Sequence, residues 1–152
     1  MPDESATLRL GDALAAGVAP GRVLHISGDL GSGKTTLVRG LLRALGVAGP
    51  VKSPTYSLVE PYEVSSLNLY HMDLYRLRDP QEWLGSGFRE YFGPQACCIV
   101  EWPERAGGLL SPPDLEARLA HAGTARTATL QARSPAGEAW LSSARLPPSS
   151  ST

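Results

Sequence analysis

A short glycine-rich stretch, GDLGSGKTT, covers residues 28–36 and directly follows the apolar run RVLHIS. The spacing of Gly28, four further residues, Gly33, Lys34 and Thr35 fits the pattern G-x-x-x-x-G-K-[ST] between a strand and a helix. Glycines let backbone N–H groups curl around an anion, and the following helix adds its own N-terminal N–H groups. The lysine can reach β- and γ-phosphates, and the threonine hydroxyl suits Mg²⁺. The stretch therefore predicts a nucleoside triphosphate site, and not merely a flexible turn carrying a surface lysine.

Two acidic residues at predicted strand ends are candidates to complete this site, because ligands collect at the carboxyl ends of parallel strands. Glu101 ends the run ACCIVE, and we predict that it binds Mg²⁺ together with Thr35; the alternative is a strand-end glutamate that faces solvent. Asp73 ends LNLYHMD and is predicted either to contact Mg²⁺ or attacking water, or to form a salt bridge with Arg76. His71, on the same strand, is predicted to have a satisfied hydrogen bond and not to act as a general base.

Hydroxyl side chains cluster in the segment SPTYS, residues 53–57. Pro54 favours an extended backbone at Ser53. In other proteins with this phosphate loop, a switch segment that senses the γ-phosphate follows the first crossover helix at this point. A polar turn that enters a strand is the alternative interpretation.

Hydrophobic periodicity predicts the elements that must position these residues. We expect helices over residues 4–18, 34–46 and 136–146, with a short broken helix over 79–93. We expect strands over residues 22–27, 56–62, 67–77 and 96–102, and an antiparallel hairpin over 114–133. Asp79 before Pro80 is typical of a helix start, and Gly46 is placed to end a helix, whereas Gly11 weakens the first helix.

Composition limits the possible classes of protein. A chain of 152 residues with 42% hydrophobic content can bury one core, so we predict one domain over residues 1–146 and a disordered tail over 147–152. A net charge of -1 argues against a broad electrostatic attraction to nucleic acid or to an anionic membrane. The acidic start and the lack of a long apolar run predict a cytoplasmic protein. Cys97 and Cys98 are predicted to be buried free thiols.

Several motifs together resemble one family. GDLGSGKTT, VKSPTYSLVEPY, HMDLYR, EYF and VEWPE occur in the order and spacing of the bacterial TsaE (YjeE) family, small ATPases of tRNA threonylcarbamoyladenosine biosynthesis. The resemblance runs from about residue 4 to about residue 146. It implies a single α/β P-loop NTPase domain of three layers, with a mixed, mostly parallel sheet and a C-terminal antiparallel hairpin.

The resemblance also implies an activity and partners. Members hydrolyse ATP slowly with Mg²⁺ and bind the paralogous pair TsaD and TsaB. The ATPase does not itself make the modification, but supports turnover by the complex that transfers the threonylcarbamoyl group to the adenosine next to the anticodon. The chain is therefore expected to meet tRNA only indirectly and to bind free tRNA weakly.

The family's functional residues fall on defined positions of this chain. The implied nucleotide contacts are Gly31, Ser32, Gly33, Lys34, Thr35, Thr36, Asp73, Trp102 and Arg126. Lys34 and Asp73 are the implied catalytic residues, and Thr35 and Glu101 the implied metal ligands. Trp102 could instead be a core aromatic residue, and Arg126 a solvated hairpin arginine. Trp83 departs from the family's leucine-glycine pattern, which puts the local packing in doubt.

Two other classes of function share the same phosphate loop. A small-molecule kinase could use the loop, the magnesium site and an aspartate base, although the chain has no arginine-rich lid or evident substrate-binding insertion. A nucleotide-dependent binding module could hydrolyse ATP only incidentally. The identity of the phosphorylated product and the dependence of partner affinity on nucleotide distinguish these classes.

Overall fold

The computed structural model describes residues 4–29, 31–47, 59–64, 67–122 and 125–144. The helices are α1 (Glu4–Ala15), α2 (Lys34–Ala44), α3 (Pro80–Ser86) and α4 (Pro135–Ser143), and two 3₁₀ segments cover Phe88–Tyr91 and Pro103–Leu109. The strands are β1 (Val23–Gly28), β2 (Val59–Val64), β3 (Leu67–Asp73), β4 (Ala96–Glu101), β5 (Leu115–Ala122) and β6 (Ala125–Ala132). The SPTYS segment and the tail lie outside the described residues, so the switch segment and the domain limits stay predictions.

The strands form one six-stranded sheet in the order β2-β3-β4-β1-β5-β6. The four inner strands, β3, β4, β1 and β5, run parallel, and the outer strands β2 and β6 pair antiparallel with their neighbours. This arrangement confirms the predicted α/β class with a mixed sheet and a C-terminal hairpin. The carboxyl ends of the parallel strands meet at one edge, where Gly28, Asp73 and Glu101 end their strands.

Two hydrophobic cores lie on opposite faces of the sheet, which gives the predicted three layers. On one face, α1, α2 and α4 cover strand residues such as Leu24, Ile26 and Ile99. On the other face, Met72 and Val100 pack with Trp83 of α3. Because Trp83 is fully buried there, its departure from the family pattern is accommodated as a core residue.

The helix α1 forms despite Gly11, because the glycine serves close packing between helices. A Cβ at Gly11 would overlap the backbone of Leu37 in α2, and a Cβ at Gly40 would overlap the backbone of Leu8 in α1. Both glycines therefore let the two helix backbones approach each other closely. This tertiary gain offsets the cost of about 1 kcal/mol that a glycine imposes on a helix interior.

Helix ends follow the predicted signals. Asp79 accepts a hydrogen bond from the backbone N–H of Gln81 at 2.9 Å, with Pro80 at the first helical position. Gly46 follows α2 with φ of 95°, a conformation that favours glycine. The hydrogen bond to Asp79 satisfies a backbone N–H group that α3 itself leaves unpaired.

The two cysteines are buried free thiols, as predicted. Burial raises the pKa of Cys97 to about 12 and the pKa of Cys98 to about 12. Neither side chain is therefore set up as a thiolate nucleophile or metal ligand at neutral pH.

Strand β1 carries a histidine whose burial makes stability depend on pH. Burial lowers the pKa of His25 to about 4, against opposing contributions from the carboxylates of Glu116 and Asp114. The unfolded chain binds a proton at His25 near pH 6.5, whereas the folded chain does not until the pH is near 4. Lowering the pH from 7 to 5 should therefore remove about 2 kcal/mol of unfolding free energy through this residue.

Urea unfolding at both pH values measures this contribution when the wild type is compared with His25→Gln. The variant should lose about 2 kcal/mol less than the wild type on acidification. His121→Gln is the matched control because His121 is exposed, and it should behave as the wild type does. An identical loss in the wild type and His25→Gln would contradict the prediction.

Within the described residues, no helix is both long and apolar enough to cross a bilayer.

Candidate functional site

The glycine loop, residues 28–36, leads from β1 into α2 at the carboxyl edge of the sheet. Gly31 and Gly33 have φ of 77° and 104°, which glycine adopts at little cost. At Gly28, a Cβ would lie 2.6 Å from Ser32 Oγ, so the close turn excludes any larger residue. Gly33 also stands at the start of α2 without a side chain that could cap its first N–H groups. The uncapped start of α2 beside these glycines is an arrangement typical of anion-binding sites.

Lys34 is folded back onto the loop that carries it. Its Nζ donates hydrogen bonds to the carbonyl oxygens of Gly28 and Asp29, each at 2.7 Å. The side chain of Ser32, itself fully buried, lies 3.4 Å from the same Nζ. Burial lowers the pKa of Lys34, and carboxylates led by Glu101 and then Asp73 oppose that lowering. An anion that entered the loop would further favour the charged ammonium group.

A hydroxyl, a carboxylate and an imidazole meet beside the start of α2. Thr35 Oγ1 donates to the Glu101 carboxylate, at 3.1 Å from Oε1 and 3.2 Å from Oε2. His71 Nε2 lies 2.5 Å from Glu101 Oε2, and both side chains are almost completely buried. A hydroxyl and a carboxylate are oxygen ligands of the kind that Mg²⁺ prefers. The predicted pair Thr35 and Glu101 is thus brought together, across 66 positions of sequence.

Asp73 lies beside Glu101 at the same edge. The two residues are register partners at the ends of the parallel strands β3 and β4. Asp73 Oδ1 accepts a hydrogen bond from the backbone N–H of Tyr75 at 3.1 Å, which holds the turn after β3. Asp73 also lines the same cleft as Lys34. Its carboxylate is therefore placed to act on a group bound in the loop.

Trp102 adopts a strained backbone conformation directly after Glu101. Within the described residues it is the one non-glycine residue with positive φ, at φ 59° and ψ 47°. This left-handed conformation costs a non-glycine residue on the order of 1–2 kcal/mol. It places the indole ring against the loop, with Lys34 Nζ 4.3 Å from the ring centroid. Strain of this kind is typical of functional sites.

Tyr75 and Arg105 extend this aromatic contact. The ring centroids of Tyr75 and Trp102 lie 4.9 Å apart, and the Arg105 guanidinium lies over both rings. Sequence reasoning missed both residues. The position of Tyr75, two residues after the site residue Asp73, was a signal in the sequence, but the ring contact itself depends on the strand order.

Together these residues line a cleft of about 340 Å³. Its lining is Glu4, Gly31, Gly33, Lys34, Thr35, Thr36, Asp73, Tyr75, Glu101 and Trp102. The presence of Glu4 brings the start of α1 to the site, and Arg39 of α2 contacts that carboxylate at 3.3 Å. A second cleft of about 530 Å³ has a lining that includes His25, Ser27 and Leu110, and among the described residues it shares no lining residue with the smaller cleft. Of the predicted site residues, all but Ser32 and Arg126 line this smaller cleft.

Arg126 is the predicted site residue whose side chain lies outside the described part of the structure. Its backbone pairs with His121 in the β5–β6 hairpin. Gly28 is register partner to Leu119, two positions before His121, so the hairpin end lies at the same edge of the sheet as the loop. The role of Arg126 stays a prediction.

Comparison with known proteins identifies the family. A model of the family described as "Threonylcarbamoyl adenosine biosynthesis protein TsaE" matches residues 1–129. The chain belongs to the TsaE family. The resemblance inferred from the motifs is therefore confirmed, and with it membership of a family involved in tRNA threonylcarbamoyladenosine biosynthesis.

Individual TsaE proteins and a solved structure agree with this assignment. A TsaE protein from Haemophilus influenzae is 40% identical over 147 residues, which cover 93% of each chain. A TsaE protein from Bacillus subtilis is 45% identical over 101 residues, which cover 66% of this chain and 61% of the relative. The crystal structure of Bacillus subtilis YdiB superposes with a TM-score of 0.79 at 31% identity, covering 93% of this chain and 88% of the other.

Proposed function

We propose that this TsaE-family chain is a Mg²⁺-dependent ATPase that supports tRNA threonylcarbamoyladenosine synthesis in the cytoplasm. The observation that carries the proposal is the contact of Thr35 with Glu101 beside Lys34. A phosphate loop alone could hold any anion. A hydroxyl and a carboxylate at its edge add two oxygen ligands that would hold Mg²⁺ beside bound phosphates.

The binding role of each group follows from its position. The glycine loop and the start of α2 surround the β- and γ-phosphates with N–H groups. Lys34 Nζ exchanges the carbonyl oxygens of Gly28 and Asp29 for phosphate oxygens, which are stronger acceptors because they are charged. Thr35 and Glu101 hold Mg²⁺, which when bound neutralises charge on the transferring phosphoryl group.

The hydrolytic role falls to Asp73. Its carboxylate lies at the cleft beside Glu101, where it can orient water for in-line attack on the γ-phosphate. Trp102 packs against Lys34 and thereby limits solvent at the ammonium group, which strengthens its interaction with phosphate. Arg126 is proposed to complete the nucleotide contacts from the hairpin end.

The partners proposed for the chain are the TsaD–TsaB pair, with tRNA contacted through them. The family membership supports this assignment, and the net charge of -1 supports weak direct binding of tRNA. In this role ATP hydrolysis serves repeated turnover of the pair and is not part of the transfer chemistry.

Two measurements test the proposal. Released inorganic phosphate should require ATP, Mg²⁺ and this chain together, and should vanish with chelator. Co-purification with the TsaD–TsaB pair should depend on whether ATP, ADP or no nucleotide is present. A phosphorylated metabolite in place of free phosphate would favour a kinase, and absence of hydrolysis with the partners present would overturn the ATPase assignment.

A further inference from the structure

The buried histidine of β3 has one ring nitrogen without a partner among the described residues, which its predicted role as a hydrogen-bonded strand histidine does not explain. His71 is completely buried, yet its Nδ1 has no hydrogen-bond partner among the described residues. Its Nε2 makes a short contact with Glu101 at 2.5 Å. A histidine serving only the core would be replaced by an apolar residue at lower cost, because a buried unpaired polar atom is unfavourable.

We propose that His71 is a positioning residue that fixes the Glu101 carboxylate for Mg²⁺. The inference rests on the proposed function, in which Glu101 and Thr35 hold the metal. A proton on Nε2 donates to Glu101 and leaves Nδ1 as an unpaired acceptor. The opposite tautomer would place two acceptors against each other at 2.5 Å and leave an N–H unpaired in the core.

The hydrogen bond from His71 limits the conformational freedom of the Glu101 carboxylate. A glutamate side chain has several rotatable bonds, and Thr35 holds the carboxylate only from the α2 side. When Mg²⁺ is bound, Thr35 and Glu101 would both be its ligands, whereas His71 would contact Glu101 without binding the metal. His71 then remains the buried group that keeps Oε2 in place, and a ligand held by such a partner loses less freedom on binding metal.

A matched pair of variants separates the effect of the hydrogen-bond donor from the effect of side-chain size. His71→Gln keeps an N–H donor, whereas His71→Met has a similar length and no donor. We expect His71→Met to weaken metal binding to the protein–ADP complex by about 10-fold and His71→Gln to remain within about 3-fold of the wild type. Mn²⁺ replaces Mg²⁺ as the probe, with protein in excess over ADP and free Mn²⁺ measured by electron paramagnetic resonance.

The outcomes separate this inference from the proposed function. Unchanged Mn²⁺ affinity in a folded His71→Met protein, or equal weakening in both variants, overturns the role of the hydrogen bond while the ATPase assignment stands. A wild-type protein that binds no metal with ADP overturns both proposals. Thermal unfolding establishes that each variant is folded.

A measurement on the wild type covers the case in which the variants fail to fold. Long-range ¹⁵N–¹H correlation spectra report which ring nitrogen of a histidine carries the proton. His71 should be in the Nε2–H form, and its Nε2 resonance should shift when Mg²⁺ and ADP are added. A proton on Nδ1 alone would overturn the proposal, because Nε2 could not then donate to Glu101.

Discussion

Replacing Lys34 by alanine is expected to abolish ATP hydrolysis and most nucleotide binding. The substitution removes an ammonium group that donates hydrogen bonds to carbonyl oxygens of the loop. Several carboxylates act on the charge of this group, and Glu101 and then Asp73 have the largest effects. Without that charge, phosphate groups enter a site whose remaining side-chain charge is largely negative. We expect kcat/KM to fall by about 100-fold or more, and calorimetry with Mg²⁺ and ADP to show much weaker association.

The control for Lys34→Ala is Arg43→Ala. Arg43 is an exposed residue near the end of the same helix, α2, so its removal changes the net charge equally without touching the loop. This variant should retain wild-type kinetics within about 2-fold, because an exposed charge at that distance is screened by salt. Hydrolysis by Lys34→Ala at a rate near that of Arg43→Ala would remove the lysine from the mechanism.

The order and type of the helices and strands could be predicted from the sequence because each has its own spacing of hydrophobic residues. The run ACCIV is apolar throughout and, with Glu101, forms a strand buried on both faces, and the glycine loop lies between a strand and a helix as its pattern requires. The predicted first helix forms although Gly11 weakened that prediction, because the effect of this glycine is tertiary. Its lack of a side chain weakens an isolated helix but permits close contact with α2.

The site was only partly predictable for a similar reason. Lys34 and Thr35 are identified by local spacing, whereas the contact of His71 with Glu101 joins residues 30 positions apart. That contact exists because β3 and β4 are parallel neighbours, which no local pattern specifies. The tilted ring contact of Tyr75 with Trp102 depends on the same pairing and on the left-handed backbone at Trp102. Residues brought together by strand order therefore carry little signal in the sequence alone.

Replacing Asp73 by asparagine is expected to separate hydrolysis from binding. Asparagine keeps an oxygen that can accept the hydrogen bond from Tyr75 N–H, so the turn after β3 should persist. The negative charge that orients water is lost. We expect kcat to fall by about 100-fold or more while nucleotide affinity changes by less than about 3-fold, as steady-state kinetics and calorimetry would measure.

Glu104→Gln is the matched control, since it also removes a carboxylate that acts on the charge of Lys34. Glu104, however, lines the second cleft and not the one that contains Lys34 and Asp73, so its loss should leave kcat nearly unchanged. If both variants slowed hydrolysis equally, the general field around Lys34 would account for the effect and Asp73 would have no special role. A large loss of kcat confined to Asp73→Asn, with nucleotide binding retained, is the result expected of a carboxylate that orients water. The reason is that removal of a group acting only in the transition state lowers kcat without changing affinity.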